Sequence, residues 1–169
     1  MDLPQDIFYK VTIEIEDPMD FLNTCSASKS SLGMCDHYNL WKKHAKKTMK
    51  IDIPNSKKIY TEYAVKNKIV NDFIGNQDLP SDIESLTLLL ENSKSDLLSE
   101  IERLERVVLY ESPVNWKLLD KIGEYKDFYR QIDRKTDVIL SESNPIEKKY
   151  KLYLLIESVL QKFVELSDY

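Results

Sequence analysis

Apolar residues recur at helical spacing along most of the chain. From residue 79 onward they return every three or four positions, as on one side of a long amphipathic helix. Helix-start signals at Ser81, Ser112-Pro113 and Asn144-Pro145 divide this region. We therefore predict three long helices, joined by short connections and packed as an antiparallel bundle. The apolar seam of the first helix comprises Ile83, Leu86, Leu90, Leu97, Ile101, Leu104 and Val108, with Lys94 out of pattern.

The middle of the chain predicts one further helix. Pro54 disfavours a helix at Ile53, so the helix begins after that point, where Ser56 can cap it. Gly75 is a suitable left-handed residue for its end. The polar segment after Gly75 is a linker at which the composition changes from basic to acidic. We therefore predict a linking helix within residues 51–75 and a separate helical bundle over 79–169.

The first sixteen residues fit two patterns. Val11, Ile13 and Ile15 alternate with polar residues, as in a half-buried strand, whereas Ile7, Val11 and Ile15 recur every four residues, as along one side of a helix. A lone strand in a chain that is otherwise helical would leave its backbone groups unpaired. We therefore predict a helix over residues 5–14.

Two more helices are predicted before residue 50. Asp17 followed by Pro18 predicts the start of one that runs to about Lys29. A third helix follows Ser31, and since a glycine weakens its beginning, Asp36 is the better cap. Residues 1–50 are thus expected to form a three-helix module, and the fold class is all-α. The scarcity of glycine, 3 in 169 residues, agrees with that class.

The net charge of -5 is unevenly distributed. Between residues 42 and 68 there are nine lysines against two acidic residues, whereas residues 76–145 carry nine basic and fifteen acidic side chains. We interpret these segments as the solvated faces of two subregions. Nucleic-acid binding is the less favoured alternative, because the basic segment contains no arginine to grip phosphate bidentately. The lysines concerned would be Lys42, Lys43, Lys46 and Lys47.

Candidate catalytic and metal-binding chemistry is sparse. The two cysteines, Cys25 and Cys35, fit no disulfide framework, and together with His37 and His44 they fit no zinc-finger spacing. No Ser-His-Asp arrangement, glycine-rich phosphate loop or paired-carboxylate motif is present. We expect no enzyme activity, metal or cofactor. No apolar run reaches the roughly 20 residues that span a bilayer, and a reducing compartment, the cytoplasm or nucleus, is the expected location.

The segment from Leu3 to Lys47 resembles an F-box. It has a Leu3-Pro4 start, an acidic and an apolar residue next, a short Asp-Phe-Leu helix, Lys29, and a final Leu40-Trp41 at the family's spacing from that lysine. It is most similar to the divergent F-box-like proteins of large DNA viruses. One extra residue falls near residues 16–18, and Ser31 stands where the family has an aromatic residue.

The resemblance implies an adaptor subunit of a cullin–RING ubiquitin ligase. Its N-terminal helices would dock on the Skp-type adaptor protein, and the rest of the chain would hold an unknown protein substrate in the cytoplasm or nucleus of a host cell. Such a subunit acts by raising effective concentration. The implied partner-binding residues are Leu3, Pro4, Ile7, Phe8, Val11 and Ile15, with Leu22, Leu40 and Trp41 bracing or extending them.

A second hypothesis comes from a different class of function. The same helices could serve a structural or scaffold protein, such as a component of a viral particle, and self-association stays open. Abundance separates the two hypotheses, since a scaffold is present in many copies and an adaptor in few.

Overall fold

The structure, a computed structural model, describes residues 4–79, 82–110 and 113–169. Within these ranges the chain is helical and contains no strand, which confirms the predicted all-α class. The elements are α1 (Gln5–Ile13), α2 (Pro18–Ser26), α3 (Lys29–His37), α4 (Leu40–His44), a π turn (Ala45–Met49), α5 (Lys57–Asn76), α6 (Ile83–Tyr110), α7 (Trp116–Leu140) and α8 (Pro145–Ser167).

The described residues divide into two compact units. Unit 1 takes in those of Met1–Asn76 together with Asn144–Glu147, and unit 2 takes in those of Gln77–Ser143 and Lys148–Tyr169. Helix α5, which covers most of the predicted linking segment, belongs to unit 1.

Side-chain caps begin two helices of unit 1, α2 and α3. The Asp17 carboxylate accepts hydrogen bonds from the N–H groups of Met19 and Asp20 at 2.8 and 2.9 Å, as predicted for the start of α2. Helix α3 begins earlier than predicted, because Ser28 Oγ accepts from the Ser31 N–H at 3.0 Å and caps it.

The prediction of one helix from Asp36 to about residue 49 was wrong. Asp36 lies near the end of α3, and its carboxylate accepts a hydrogen bond from the indole N–H of Trp41 at 2.7 Å. Asn39 adopts a left-handed conformation with φ 54°, which ends one helix before α4 begins. The helix pattern continues across this break, so hydrophobic spacing alone does not reveal it.

Cys25 and Cys35 form a disulfide that joins α2 to α3, with Cα atoms 6.0 Å apart. The expectation that their spacing fits no disulfide was wrong. Two short helices joined by residues 27–28 bring both cysteines into the same core, where neither side chain is exposed. The distance across the fold, which the spacing does not give, decides whether two cysteines can pair.

Unit 2 is built on the antiparallel pair α6 and α7. Lys94 contacts Asp133 at 2.7 Å, and Glu105 contacts Lys126 at 2.6 Å, so the two helices run in opposite directions. Helix α8 returns along α7, since Lys162 in its last turns lies 5.8 Å from the centre of the Tyr125 ring in the first half of α7. The predicted α6 seam is confirmed, with six of its seven apolar residues fully buried: Leu86, Leu90, Leu97, Ile101, Leu104 and Val108.

Two of the three predicted helix starts of this region can be checked. Asn144 Oδ1 accepts from the N–H groups of Ile146 and Glu147 at 3.0 and 3.1 Å, which confirms that cap. Helix α7 begins at Trp116 with Asn115 as its cap, so the start predicted at Ser112-Pro113 was wrong. Ser112 itself and the third predicted cap, Ser81, lie outside the described residues.

Candidate protein-docking surface

Helix α1 presents an apolar strip to solvent on the side away from its own core. It begins directly after Pro4, whose carbonyl accepts the N–H groups of Ile7 and Phe8 at 2.9 and 3.0 Å. Phe8 and Thr12 are buried. Ile7 is 46% and Val11 is 58% exposed, and residues four apart are neighbours on a helix surface. We call Ile7 and Val11 the α1 strip.

The C-terminal end of α1 is fixed by polar contacts from the π turn and from α4. Lys47 Nζ donates to the Ile13 carbonyl at 3.1 Å and pairs with Glu14 at 2.7 Å. A lysine at this position satisfies a carbonyl that the helix itself leaves free. His44 Nε2 lies 2.6 Å from the Ile15 carbonyl, a distance at which the ring N–H donates to it. These bonds set the direction in which the α1 strip points.

The other end of α1 is held by Tyr38, the residue that follows α3. Its hydroxyl donates to Gln5 Oε1 at 3.3 Å, and its ring packs edge-on against Tyr9 at 5.6 Å between centroids. The Lys43 ammonium lies over the Tyr9 ring, 5.2 Å from its centroid. Both ends of the exposed helix are therefore tied to the unit behind it.

A buried aromatic cluster supports this arrangement from below. The Phe21 ring stacks on His44 at 3.8 Å and meets Trp41 edge-on at 5.5 Å. The Tyr60 hydroxyl lies 2.7 Å from His44 Nδ1 and completes the hydrogen bonding of the imidazole. Burial lowers the pKa of His44 and raises the pKa of Tyr60, so both side chains are neutral at pH 7.

The structure separates the predicted partner-binding residues into exposed and buried groups. Pro4, Ile7 and Val11 are exposed, Ile15 is half-buried, and Leu3 lies outside the described residues. The remaining predicted residues are part of the core of unit 1, so in the folded unit they brace the surface from behind: Phe8, Leu22, Leu40 and Trp41.

The four lysines considered for nucleic-acid binding lie exposed along α4 and the π turn. Lys42 pairs with Asp52 at 3.6 Å and Lys47 with Glu14 at 2.7 Å, while Lys43 lies over Tyr9. Lys46 forms no ion pair among the described residues. Because carboxylates neutralise two of the four charges, this stripe is a weak attractant for phosphate.

Unit 2 has exposed apolar side chains that the sequence reading missed. Leu109 and Tyr110 end α6 and are 67% and 88% exposed, and Trp116 begins α7 at 69% exposure. Their position at helix ends beside a polar loop was the available signal, since a core residue would lie on the helical seam.

Polar side chains of α2 and α5 line a cleft in unit 1. A polar cleft of about 420 Å³ lies between α2 and α5, lined among others by Asp17, Asp20, Lys68 and Asp72. No group of three or more His, Cys, Asp or Glu side chains in the described part of the chain is placed to hold a metal ion. Among the same residues, no helix combines the length and apolar character that crossing a membrane requires.

Comparison with known proteins adds no relative. No protein-family model, no curated protein and no solved structure matches the chain. The interpretation of the α1 strip therefore depends on its own geometry and on the F-box-like spacing of the sequence.

Proposed function

We propose that the chain is an F-box-like adaptor whose unit 1 docks on the Skp-type adaptor of a cullin–RING ubiquitin ligase. The observation that carries this proposal is the α1 strip. Ile7 and Val11 are large apolar side chains on an exposed helix that is fixed at both ends. A rigid amphipathic helix of this kind is suited to docking in an apolar groove.

The adaptor acts without chemistry of its own. Unit 1 binds the ligase, and unit 2 supplies the surface for a protein substrate, so that the substrate is held near the charged ubiquitin-carrying enzyme. The gain comes from effective concentration alone. Its location in this role is the cytoplasm or nucleus of the host cell.

The proposal is tested by charging the α1 strip. Ile7→Asp with Val11→Asp places two carboxylates at the centre of the docking surface, and burying them unpaired is costly. Since hot-spot side chains contribute 2 kcal/mol or more, we expect the affinity for the purified Skp-type adaptor to fall by more than about 30-fold. Isothermal titration calorimetry measures this change.

The matched control is Val138→Asp. Val138 is 71% exposed on α7 in unit 2, so this variant introduces one carboxylate at an exposed valine on another helix. We expect it to bind the adaptor as the unaltered chain does, and circular dichroism should show equal helix content in all three proteins. No binding by the unaltered chain, or equal binding by the doubly charged variant, would refute the adaptor function.

The second candidate function is a non-enzymatic scaffold, as in a viral particle. The specific observation in its favour is the exposure of Leu109, Tyr110 and Trp116 in unit 2, since large exposed apolar side chains occur at interaction sites. Light scattering of the purified chain separates the candidates. A scaffold should form higher oligomers that dissociate in the Trp116→Ser variant. An adaptor should be monomeric both with Trp116 and with serine at this position.

A further inference from the structure

Helix α3 is held to unit 1 by few buried side chains and by two hydrogen bonds to Asp36, from Trp41 Nε1 to its carboxylate at 2.7 Å and from Asn55 Nδ2 to its carbonyl at 3.0 Å. Of its nine residues only Cys35 is buried, while Leu32 and Met34 pack against the core with part of their surface exposed. The other eight residues include Lys29, Asp36 and His37, which are exposed. A helix with so little buried surface opens readily unless something else restrains it. The Cys25–Cys35 disulfide is the covalent part of that restraint.

The same helix is coupled to the α1 strip. Tyr38 directly follows α3, and it is the residue that bonds to Gln5 and packs on Tyr9 at the start of α1. If α3 opens, the hydrogen bond and the ring contact are lost together. The N-terminal turn of α1 then keeps only its contacts through Phe8 and the residues beyond it.

We propose that the Cys25–Cys35 pair is a redox-controlled clamp on α3, which regulates the α1 strip through Tyr38. The disulfide form holds α3 and the start of α1 in place. In the dithiol form α3 opens locally more often, and the α1 strip is therefore less well ordered for docking. The regulatory part of this inference rests on the proposed adaptor function, whereas the clamp itself does not.

The reaction needs only a small thiol such as glutathione. Both cysteines are buried in the folded unit, so the attack takes place during a transient local opening. One glutathione thiolate then attacks a protein sulfur, which breaks the S–S bond, forms a mixed disulfide and releases the other cysteine as a thiolate. A second glutathione thiolate attacks the mixed disulfide, and glutathione disulfide leaves. The two protein thiolates each take up one proton, and two electrons pass from the glutathiones to the protein. The chain has no third cysteine to divert the exchange.

Hydrogen exchange of the full chain, with and without dithiothreitol, tests the clamp. The disulfide closes a ring between cysteines that are 10 residues apart in sequence. The loop-closure entropy for a ring of this length corresponds to about a 100-fold change in the opening equilibrium of α3. We therefore expect peptides covering residues 29–38 to exchange about 100-fold faster after reduction. The α1 peptide should become several-fold faster, and the α5 peptide should not change. Unchanged exchange in α3, or equal acceleration of all unit 1 helices, would overturn the clamp.

Variants separate the clamp from its coupling to α1. The double variant Cys25→Ala with Cys35→Ala should show the hydrogen-exchange rates of the reduced chain, and dithiothreitol should not change them. In the Tyr38→Ala variant, reduction of the disulfide should still accelerate hydrogen exchange in α3. It should no longer change the exchange rate of α1. Tyr38→Phe, which keeps the ring against Tyr9, should preserve most of the α1 response. An α1 response that survives Tyr38→Ala would overturn the coupling.

Adaptor affinity distinguishes the regulation from the proposed function. We expect titration of the Skp-type adaptor to show several-fold weaker binding to the dithiol form than to the disulfide form. Equal binding of both forms would overturn the regulation while leaving the adaptor function in place. Binding of neither form would refute the adaptor function, and the exchange experiment on the isolated chain would still decide the clamp.

Discussion

Lys94 interrupts the apolar seam of α6, and its replacement is expected to separate packing from charge. Its side chain is 5% exposed, whereas those of its partners Glu91 and Asp133 are 50% and 60% exposed. Burial lowers the pKa of Lys94, but the hydrogen bonds to Asp133 and Glu91 more than offset this and hold the pKa above its ordinary value. The ammonium therefore stays charged at neutral pH.

The asymmetry of burial sets the magnitudes. Lys94→Met keeps the buried aliphatic stem and leaves two carboxylates that water already solvates. We expect it to change the free energy of unfolding of unit 2 by between zero and about 1 kcal/mol in the stabilising direction. Glu91→Ala with Asp133→Ala leaves the buried ammonium without either carboxylate. We expect this pair to cost on the order of 2 kcal/mol.

Adding Lys94→Met to the double alanine variant removes the unpaired ammonium. This triple variant should therefore regain most of the lost free energy of unfolding of unit 2. Hydrogen exchange of α6 and α7 peptides in increasing urea is the assay, because it reports unit 2 separately from unit 1. A cost above about 2 kcal/mol for Lys94→Met alone would refute the reasoning, as would a triple variant no more stable than the double.

Two further predictions concern unit 1. Burial lowers the pKa of His44 below 6.5, so the unfolded chain binds a proton that the folded chain resists. In a Trp116→Phe background, the fluorescence of buried Trp41 reports unit 1 alone. The urea midpoint followed in this way should fall as the pH drops from about 7 to about 5, and His44→Gln should weaken this dependence. A midpoint that stays constant over this range would contradict the prediction. Asp17→Ala removes the acceptor for two N–H groups at the start of α2 and should cost about 1 kcal/mol in the same assay. Asp17→Asn, which keeps an acceptor oxygen, is the control and should cost only a few tenths; equal losses in both variants would show that the cap does not act through its oxygen.

The buried face of α6 and the start of α8 could be predicted from sequence because a local pattern decides each of them. The buried positions of α6 return every three or four residues over its whole length, and Lys94 occupies one of them. Asn144 before Pro145 is equally direct, since its side chain caps the very next turn. Both signals are local, and no distant residue overrides them.

The divisions of unit 1 could not be predicted, because long-range contacts decide them. Asp36 is a good helix cap in isolation, yet the Trp41 indole uses its carboxylate. Cys25 and Cys35 become partners only after α2 and α3 fold back. The spacing of apolar residues correctly predicted that α1 is a helix. It did not predict which apolar residue is exposed, because Ile7 and Phe8 are adjacent and both strongly apolar. Only the fold decides which of the two is exposed.

The wide turn at Ala45–Met49 has a consequence for length variation in this region. A π turn accommodates one residue more than the regular α-helical ladder requires. Deleting Lys46 would allow an ordinary helical turn to form there, and the following side chains would keep nearly the same direction about the helix axis. Met49, which is buried, would then still face the core. Both the local backbone and the side-chain packing would therefore accept the loss of one residue at this turn.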